Sequence, residues 1–395
     1  MKRLVKNNVS WVGKIDWELE SFHGDDYSIN HGSSQNAYLI QEEKTVLIDT
    51  IWKPYAREFR ENLEQEIDLN KIDFIVMNHG EVDHSGALPY LMEKIPNTPI
   101  YCTANAIKSL VGQYHHPEWN FKVVKTGDSV DIGNGKSLVF VDMRMLHWPD
   151  SMATYMTGDN ILFSNDAFGQ HLAVEELFND KTDQCLLWEE ALKYYANILA
   201  PFSPLVKRKI EEIVALNLPI DIIAPSHGAI WRDNPLQIVE KYAAWADNYQ
   251  EDQITIVYDT MWDGTKALAH ALAGEIQALS PDTRVKIFNI SQTDKNDIMT
   301  QVFISKAIAL GSPTVGQSIL SAVAGWLHFL FELKFKKKKA AVFGCYGWSG
   351  EGPEVLAEHL VQAGFEIVGP KVKVNWNPKQ ENFKEMKGIA EALIK

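Results

Sequence analysis

Over roughly the first 250 positions, apolar residues come in short runs that stop on polar turns, and helical periodicity interrupts them irregularly. The stretch "NAYLIQEEKTVLIDT" reads as two strands flanking a polar turn, and "AREFRENLEQEI" reads as a charged helix. "IDFIVMNH" is a buried strand that ends on a histidine. The same plan of apolar strand and polar turn recurs in "SLVFVDMRMLHWPDSM", "NILFSNDAFG" and "DIIAPSHGAIW". Each of these turns carries a histidine or an aspartate. Strands fix a backbone position, and the loops at their ends are free to carry chemistry. Four such strand ends meeting at one edge of a core would form a site.

After "AWADNYQEDQ" the pattern becomes regular. "ITIVYDT", "RVKIFNIS", "AIALGSPT", "KAAVFGCYG" and "FEIVGPKVKV" read as strands, separated by amphipathic or apolar helices such as "KALAHALAGEIQAL" and "PEVLAEHLVQAG". Five strands alternating with helices predict a doubly wound parallel sheet of flavodoxin-like order. The boundary is placed near residue 252, giving domains 1–252 and 253–395. The most apolar run, Ser318 to Leu333, is too short and too interrupted to span a bilayer and is expected to be a core helix. "KFKKKK" (Lys334 to Lys339) is expected to be a solvated turn, with docking of an acidic protein as the weaker reading.

Composition changes the picture in three ways. A chain of 395 residues exceeds one comfortable core, which supports two domains. A formal net charge of -14 argues against nucleic acid as the main partner. The three cysteines, Cys102, Cys185 and Cys345, form no C-x-x-C pair, so neither a disulfide framework nor a rubredoxin-type iron centre is expected within the chain. "MKRLVKNNVSW" lacks the apolar core of a secretory signal, and a cytoplasmic location is expected.

The densest candidate chemistry is "MNHGEVDHSGALP", which places His79, Glu81, Asp83 and His84 within one loop. His147, Asp166 and His227 stand in later turns of the same strand-then-turn plan. Any single one of the 12 histidines is more often a surface or satisfied core residue than a ligand, so the case rests on the set. Four imidazoles and three carboxylates with no thiolate suit iron, manganese or zinc. Seven groups are too many for one ion but fit two that share a carboxylate, for which Asp166, alone on its turn, is the natural bridge.

A second constellation lies in the regular half. "YDTMWDGT" follows its first strand and opens its first helix, so Thr260, Met261, Trp262, Asp263, Gly264 and Thr265 can cradle a phosphate. Ser312, Pro313, Thr314 and Val315 follow the third strand, and Tyr346, Gly347, Trp348, Ser349 and Gly350 follow the fourth. These loops flank the switch point where a flavodoxin-like sheet holds FMN, and Tyr346 or Trp348 could stack on its ring. No G-x-G-x-x-G opens any of these helices, which disfavours a dinucleotide.

The pattern H-x-[EH]-x-D-H with distant His, Asp and His resembles the metallo-β-lactamase fold, an αβ/βα sandwich whose hydrolases usually carry histidine at the position of Glu81 and bind zinc. The hard oxygen donor of Glu81 tilts the site toward iron and redox chemistry. Together with the flavodoxin-like half, and with "FHG", "MLHWPDSM", "SNDAFGQH", "YYANI" and "PSHG", nearly the whole chain resembles the flavodiiron proteins, or A-type flavoproteins. Flavorubredoxins are the most similar in look. The resemblance implies FMN and two irons, one held by His79, Glu81 and His147, the other by Asp83, His84 and His227, with Asp166 between. "WDGT" and "TVGQ" depart from the family's more usual flavin loops, and His171 and Tyr195 match residues near its substrate pocket.

The resemblance further implies reduction of O2 to water, of NO to nitrous oxide, or both, with O2 favoured. A two-electron flavin and two one-electron irons store the four electrons that O2 requires. Also implied are an external electron donor, such as rubredoxin or an NAD(P)H-dependent reductase, and a head-to-tail homodimer or a dimer of such dimers. Two readings from other classes compete: a zinc hydrolase of the β-lactamase fold with a regulatory flavodoxin-like domain, and a pure electron carrier.

Overall fold

The computed structural model describes residues 2–395 and divides them into two compact units. The first runs to Tyr194 and resumes over Phe202–Ala243. The second comprises Tyr195–Pro201 and Ala244–Lys395.

The first unit is built on two sheets. One has the strand order Arg3–Lys6, Val9–Trp11, Tyr38–Gln41, Thr45–Ile48, Ile72–Val76, Ile100–Cys102 and Phe121–Val123. Its first strands pair antiparallel and its last four parallel. The other has the order Ser129–Gly133, Lys136–Asp142, Met152–Met156, Ile161–Asn165 and Ile222–Pro225, antiparallel except for the last pair. Alternation along the strands decides what goes where, since side chains two apart share a face. Ile40, Val46, Ile48, Phe74 and Val76 of the first sheet pack with Leu138, Phe140, Met156, Ile161 and Phe163 of the second. The intervening residues Leu39, Leu47 and Ile75 face the opposite way, onto Phe59 and Leu63 of the helix Ala56–Glu66 and Leu110 of the helix Ala104–Tyr114. These are the layers expected of a metallo-β-lactamase-like sandwich.

The second unit is a parallel sheet in the order Arg284–Asn289, Glu251–Tyr258, Ser305–Gly311, Lys339–Tyr346, the doubly wound flavodoxin-like order. The helices Gly264–Leu279 and Gln380–Ile394 bury Leu268, Leu272, Ile276, Met386, Ile389 and Leu393 against it. The fifth strand, expected as one run over "FEIVGPKVKV", is two short pieces, Glu366–Ile367 and Val372–Asn375, both paired to Lys339–Tyr346. Gly369 between them adopts a left-handed φ of +70, and Pro370 has no N–H to give the ladder. The run at Ser318 is helical over Ser321–Leu333, and no described helix is long and apolar enough to cross a membrane.

"KFKKKK" is only in part the solvated turn expected. Lys334, Lys336 and Lys337 are exposed, but Lys338 is buried. Its Nζ donates to the carbonyls of Phe303 at 2.7 Å and Ser305 at 2.6 Å, at the end of the helix Lys295–Ile304. Burial pushes its pKa down to about 7.

Candidate functional sites

The dense loop begins where the strand Ile72–Val76 ends. Asp49 pins it, accepting from Asn78 N at 2.7 Å and Asn78 Nδ2 at 2.9 Å. A single helical turn, Val82–Ser85, then starts at Glu81, whose carbonyl accepts from the amides of His84 and Ser85. This short turn carries Asp83 and His84, and the preceding extended residues carry His79 and Glu81. Asp166 follows the strand Ile161–Asn165, and His227 follows the neighbouring strand Ile222–Pro225, so parallel pairing brings both to one sheet end.

All seven candidate ligands converge, in two groups. His79, Glu81, His147 and Asp166 each offer one donor atom, and these atoms lie within 4.8 Å of one another; Asp83, His84 and His227 form the second such group. Asp166 faces both. Its Oδ2 lies 3.6 Å from His79 Nε2 and 3.4 Å from His147 Nε2, and its Oδ1 lies 3.0 Å from His84 Nε2 and 3.5 Å from His227 Nε2. Glu81 Oε2 sits 3.2 Å from His79 Nε2, and Asp83 Oδ2 sits 3.2 Å from His227 Nε2. Asp83 Oδ1, His84 Nε2 and Asp166 Oδ2 are shut from solvent without a well-directed hydrogen bond. Buried carboxylates and imidazoles left in this way call for cations between them, and the N/O donor set suits two iron ions.

Electrostatics agrees. Burial alone would raise the Glu81 carboxyl, but hydrogen bonds from His23 and His79 outweigh it and hold the group well below the carboxylate range. Burial would lower His84, yet the charges of Asp83 and Asp166 push it up to about 9. These anions draw protons onto His79 and His84, and a bound cation would displace them.

Contacts behind the donors orient them, and several come from residues that sequence reasoning did not single out. His79 Nδ1 lies 3.1 Å from Asp150 Oδ1, which leaves Nε2 facing inward. His227 Nδ1 is 2.8 Å from the carbonyl of Ser34, with the same result. Ser226 Oγ donates to Asp166 Oδ1 at 3.1 Å, and His23 Nε2 meets Glu81 Oε1 at 3.1 Å. His171 does line the site: its ring is stacked on Phe22 at 4.8 Å, and its Nδ1 is 2.9 Å from Ser33 Oγ. Burial, then the neighbouring His227, hold His171 far below the usual histidine pKa, so it is neutral. The tyrosine beside it is Tyr194, with ring centroids 5.2 Å apart. Tyr195 belongs to the second unit, where its ring packs on Trp245 and Phe303.

In the second unit a cavity of about 500 Å³ opens at the C-terminal ends of the strands, within the range of small-molecule sites. Thr260, Met261, Trp262, Gly264, Thr265, Pro313, Thr314, Val315, Tyr346, Gly347, Trp348 and Ser349 line it, all from the three expected loops. Asp263, Ser312 and Gly350 do not. Asp263 is the left-handed residue at the start of the helix Gly264–Leu279, Ser312 Oγ is turned back onto Pro313 and Leu320, and Gly350 lies against the Tyr346 ring. Gly316, Cys345, Trp376 and Asn377 complete the lining. Asp263 gives that helix no side-chain cap, so its first N–H groups remain open to an anion. Thr265 Oγ1 is buried beside them without an oxygen or nitrogen partner. An uncapped helix end, a buried hydroxyl and aromatic walls fit the phosphate and ring of FMN.

The chain matches two family models, an ODP family beta lactamase over residues 33–228 and a flavodoxin over residues 256–387. It is 56% identical over 391 residues to the anaerobic nitric oxide reductase flavorubredoxin of Vibrio vulnificus, covering 99% of this chain and 79% of that one. It is also 56% identical over 381 residues to the protein of the same name from Escherichia coli, covering 96% and 79%. Among solved structures it resembles the rubredoxin oxygen:oxidoreductase of the anaerobe Desulfovibrio gigas, with 34% identity and a TM-score of 0.96 over 100% of this chain and 98% of the other. The flavodiiron protein of Giardia intestinalis gives 30% identity and a TM-score of 0.93 over 99% and 95%.

Proposed function

The chain belongs to the flavodiiron proteins, and on that premise we propose that this oxidoreductase acts chiefly on nitric oxide, converting two NO, two electrons and two protons into nitrous oxide and water. The observation that carries the reading is the pair of donor groups facing the two oxygens of Asp166, an arrangement suited to two ions close enough to hold two small molecules side by side. The names of relatives 56% identical over almost the full chain support NO over the oxygen preference expected from sequence. When bound, FMN and two irons supply up to four reducing equivalents.

The chain's own residues prepare the site. His79, Glu81 and His147 would hold one ion, Asp83, His84 and His227 the other, and Asp166 both. Phe22, neutral His171 and Tyr194 wall the site with rings that exclude water, which strengthens every charge interaction inside. His23, whose side chain is 44% exposed, holds a proton between its Nε2 and Glu81 Oε1 at the margin with solvent. In the second unit, Thr265 and the open amides of its helix would hold the FMN phosphate, with Tyr346, Trp348 and Trp376 around the ring.

Met261, Trp262, Val315, Trp348 and Trp376 are exposed, and all line the same cavity. Such a patch marks a docking surface. We assign it to a head-to-tail second copy of the chain and to an external donor of the rubredoxin or NAD(P)H-reductase type, acting in the cytoplasm. A monomer that keeps full turnover on dilution would remove the dimer. Oxygen reduction is the second reading, favoured by the 34% identical structure named an oxygen oxidoreductase.

The deciding experiment follows NO and O2 in parallel with an electrode, using anaerobic protein reduced in flavin and iron. Fast NO loss with slow O2 loss is expected. The reverse, without peroxide, would make it an oxygen reductase. Consumption of neither gas would overturn the redox reading and turn attention to ester and thioester hydrolysis.

A further inference from the structure

The two donor groups differ in what stands behind them. His227 is backed by a neutral carbonyl, that of Ser34. His79 is backed by Asp150, whose side chain is 1% exposed and which also accepts from Gly80 N at 3.0 Å through its other oxygen. Asp150 is held in turn. Thr103, at the start of the helix Ala104–Tyr114, donates to the Asp150 carbonyl at 3.0 Å, and Asn105 of that helix donates to the carbonyl of Pro149 at 3.0 Å. The same helix reaches the dense loop: Gln113 Nε2 donates to the Gly80 carbonyl, and Tyr114 Oη meets Ser85 Oγ at 2.8 Å, which itself bonds the carbonyls of Gly80 and Glu81. One helix therefore clamps both the loop carrying His79 and Glu81 and the segment that follows His147.

We infer that Asp150 is a positioning residue for the metal position that His79 shares with Glu81 and His147. The 3.1 Å approach of its carboxylate to His79 Nδ1, close but not aligned as a hydrogen bond, favours the tautomer with the proton on Nδ1, so that Nε2 presents its lone pair to that position, and its negative charge strengthens that donor. At the other position His227 is backed by the neutral carbonyl of Ser34, so these two histidines, His79 and His227, are held from behind by groups of different charge. The inference rests on the diiron reading given above.

Replacing Asp150 by Asn keeps an acceptor for Gly80 N but can offer His79 an amide N–H, which favours the wrong tautomer. In purified Asp150→Asn holoprotein, iron affinity at one position should fall roughly 10- to 100-fold. Iron per chain should drop from two toward one, and one of two Mössbauer doublets should shift or vanish while FMN content stays constant. Gly80→Ala provides an independent route, because a Cβ there would lie 2.7 Å from Asp150 Oδ2 and 2.8 Å from Ser109 Cβ, forcing the carboxylate off His79 without deleting it. The same doublet should respond. Two irons with unaltered doublets in either soluble variant would overturn the role of Asp150. A wild-type protein without iron would overturn the diiron reading itself, so the two failures are distinct.

Discussion

Replacing Lys338 by Met should flatten the rise of stability with pH in the flavodoxin-like unit. Burial lowers the Lys338 ammonium from 10.5 in the unfolded chain to about 7 in the folded one. Below pH 7 both states are protonated, and the folded state bears the full cost of the buried charge, a ceiling of about 5 kcal/mol. Between 7 and 10.5 the unfolded chain binds the extra proton, so stability rises with pH by up to about 1.4 kcal/mol per unit. Above 10.5 the cost is gone. The Met variant loses the hydrogen bonds to Phe303 O and Ser305 O and also sheds the buried-charge cost, so this position adds no slope to its stability. Urea titrations at pH 7.5 and 9.5, followed by flavin fluorescence released on unfolding at fixed FMN concentration, isolate the difference. The stability of wild type relative to Lys338→Met should rise by roughly 2–3 kcal/mol over those two units. Equal gaps at both pH values would refute the reasoning, and would mean that the two carbonyls keep the ammonium charged throughout. Lys338 precedes the strand whose other end borders the cavity, so FMN affinity should not change.

Three further outcomes are expected. Asp166→Asn weakens both donor groups at once, so iron per chain should fall to one or less and both Mössbauer doublets should change; loss of a single doublet would contradict the shared role. Thr265→Val removes the buried hydroxyl at the open helix end and should raise the FMN Kd about tenfold without altering iron content. An unchanged Kd in a flavin-fluorescence titration would place the phosphate elsewhere. Treatment with a strong iron chelator should abolish gas consumption while the flavin absorption spectrum is retained; activity surviving the loss of all iron would exclude the metal centre as the site of reduction.

The donors were legible in sequence because each follows an apolar strand, and short, nearly continuous apolar runs that stop on polar turns make such strands visible before any contact is known. Their supports were not. Asp150 stands three residues beyond His147 within a stretch already singled out, yet nothing in the pattern says that it reaches His79. Tyr194 and Tyr195 illustrate a different limit. The α-helix Gln184–Tyr194 gives way to a π-helical turn over Tyr195–Leu199, and since adjacent helical residues point about 100° apart, the two tyrosines serve different units. Trp376 escaped notice because it follows the second half of a strand that reads as one run but is broken at Gly369 and Pro370. Lys338 looked like its exposed neighbours, since four lysines in a row carry no sign of which one meets the carbonyls at a distant helix end.

The donors of the metal centre are spread from residue 79 to residue 227, across both sheets of the first unit. Ions held by all of them would tie together chain segments that are far apart before folding, much as a covalent cross-link does, in a protein whose cysteines are free. By the chain-entropy argument, closing loops of this size is worth on the order of 4 kcal/mol. Metal loading would then protect the first unit against proteolysis as well as equip it for chemistry. The last donor lies in the strand end at 227, so during synthesis the set stays incomplete until most of that unit has emerged.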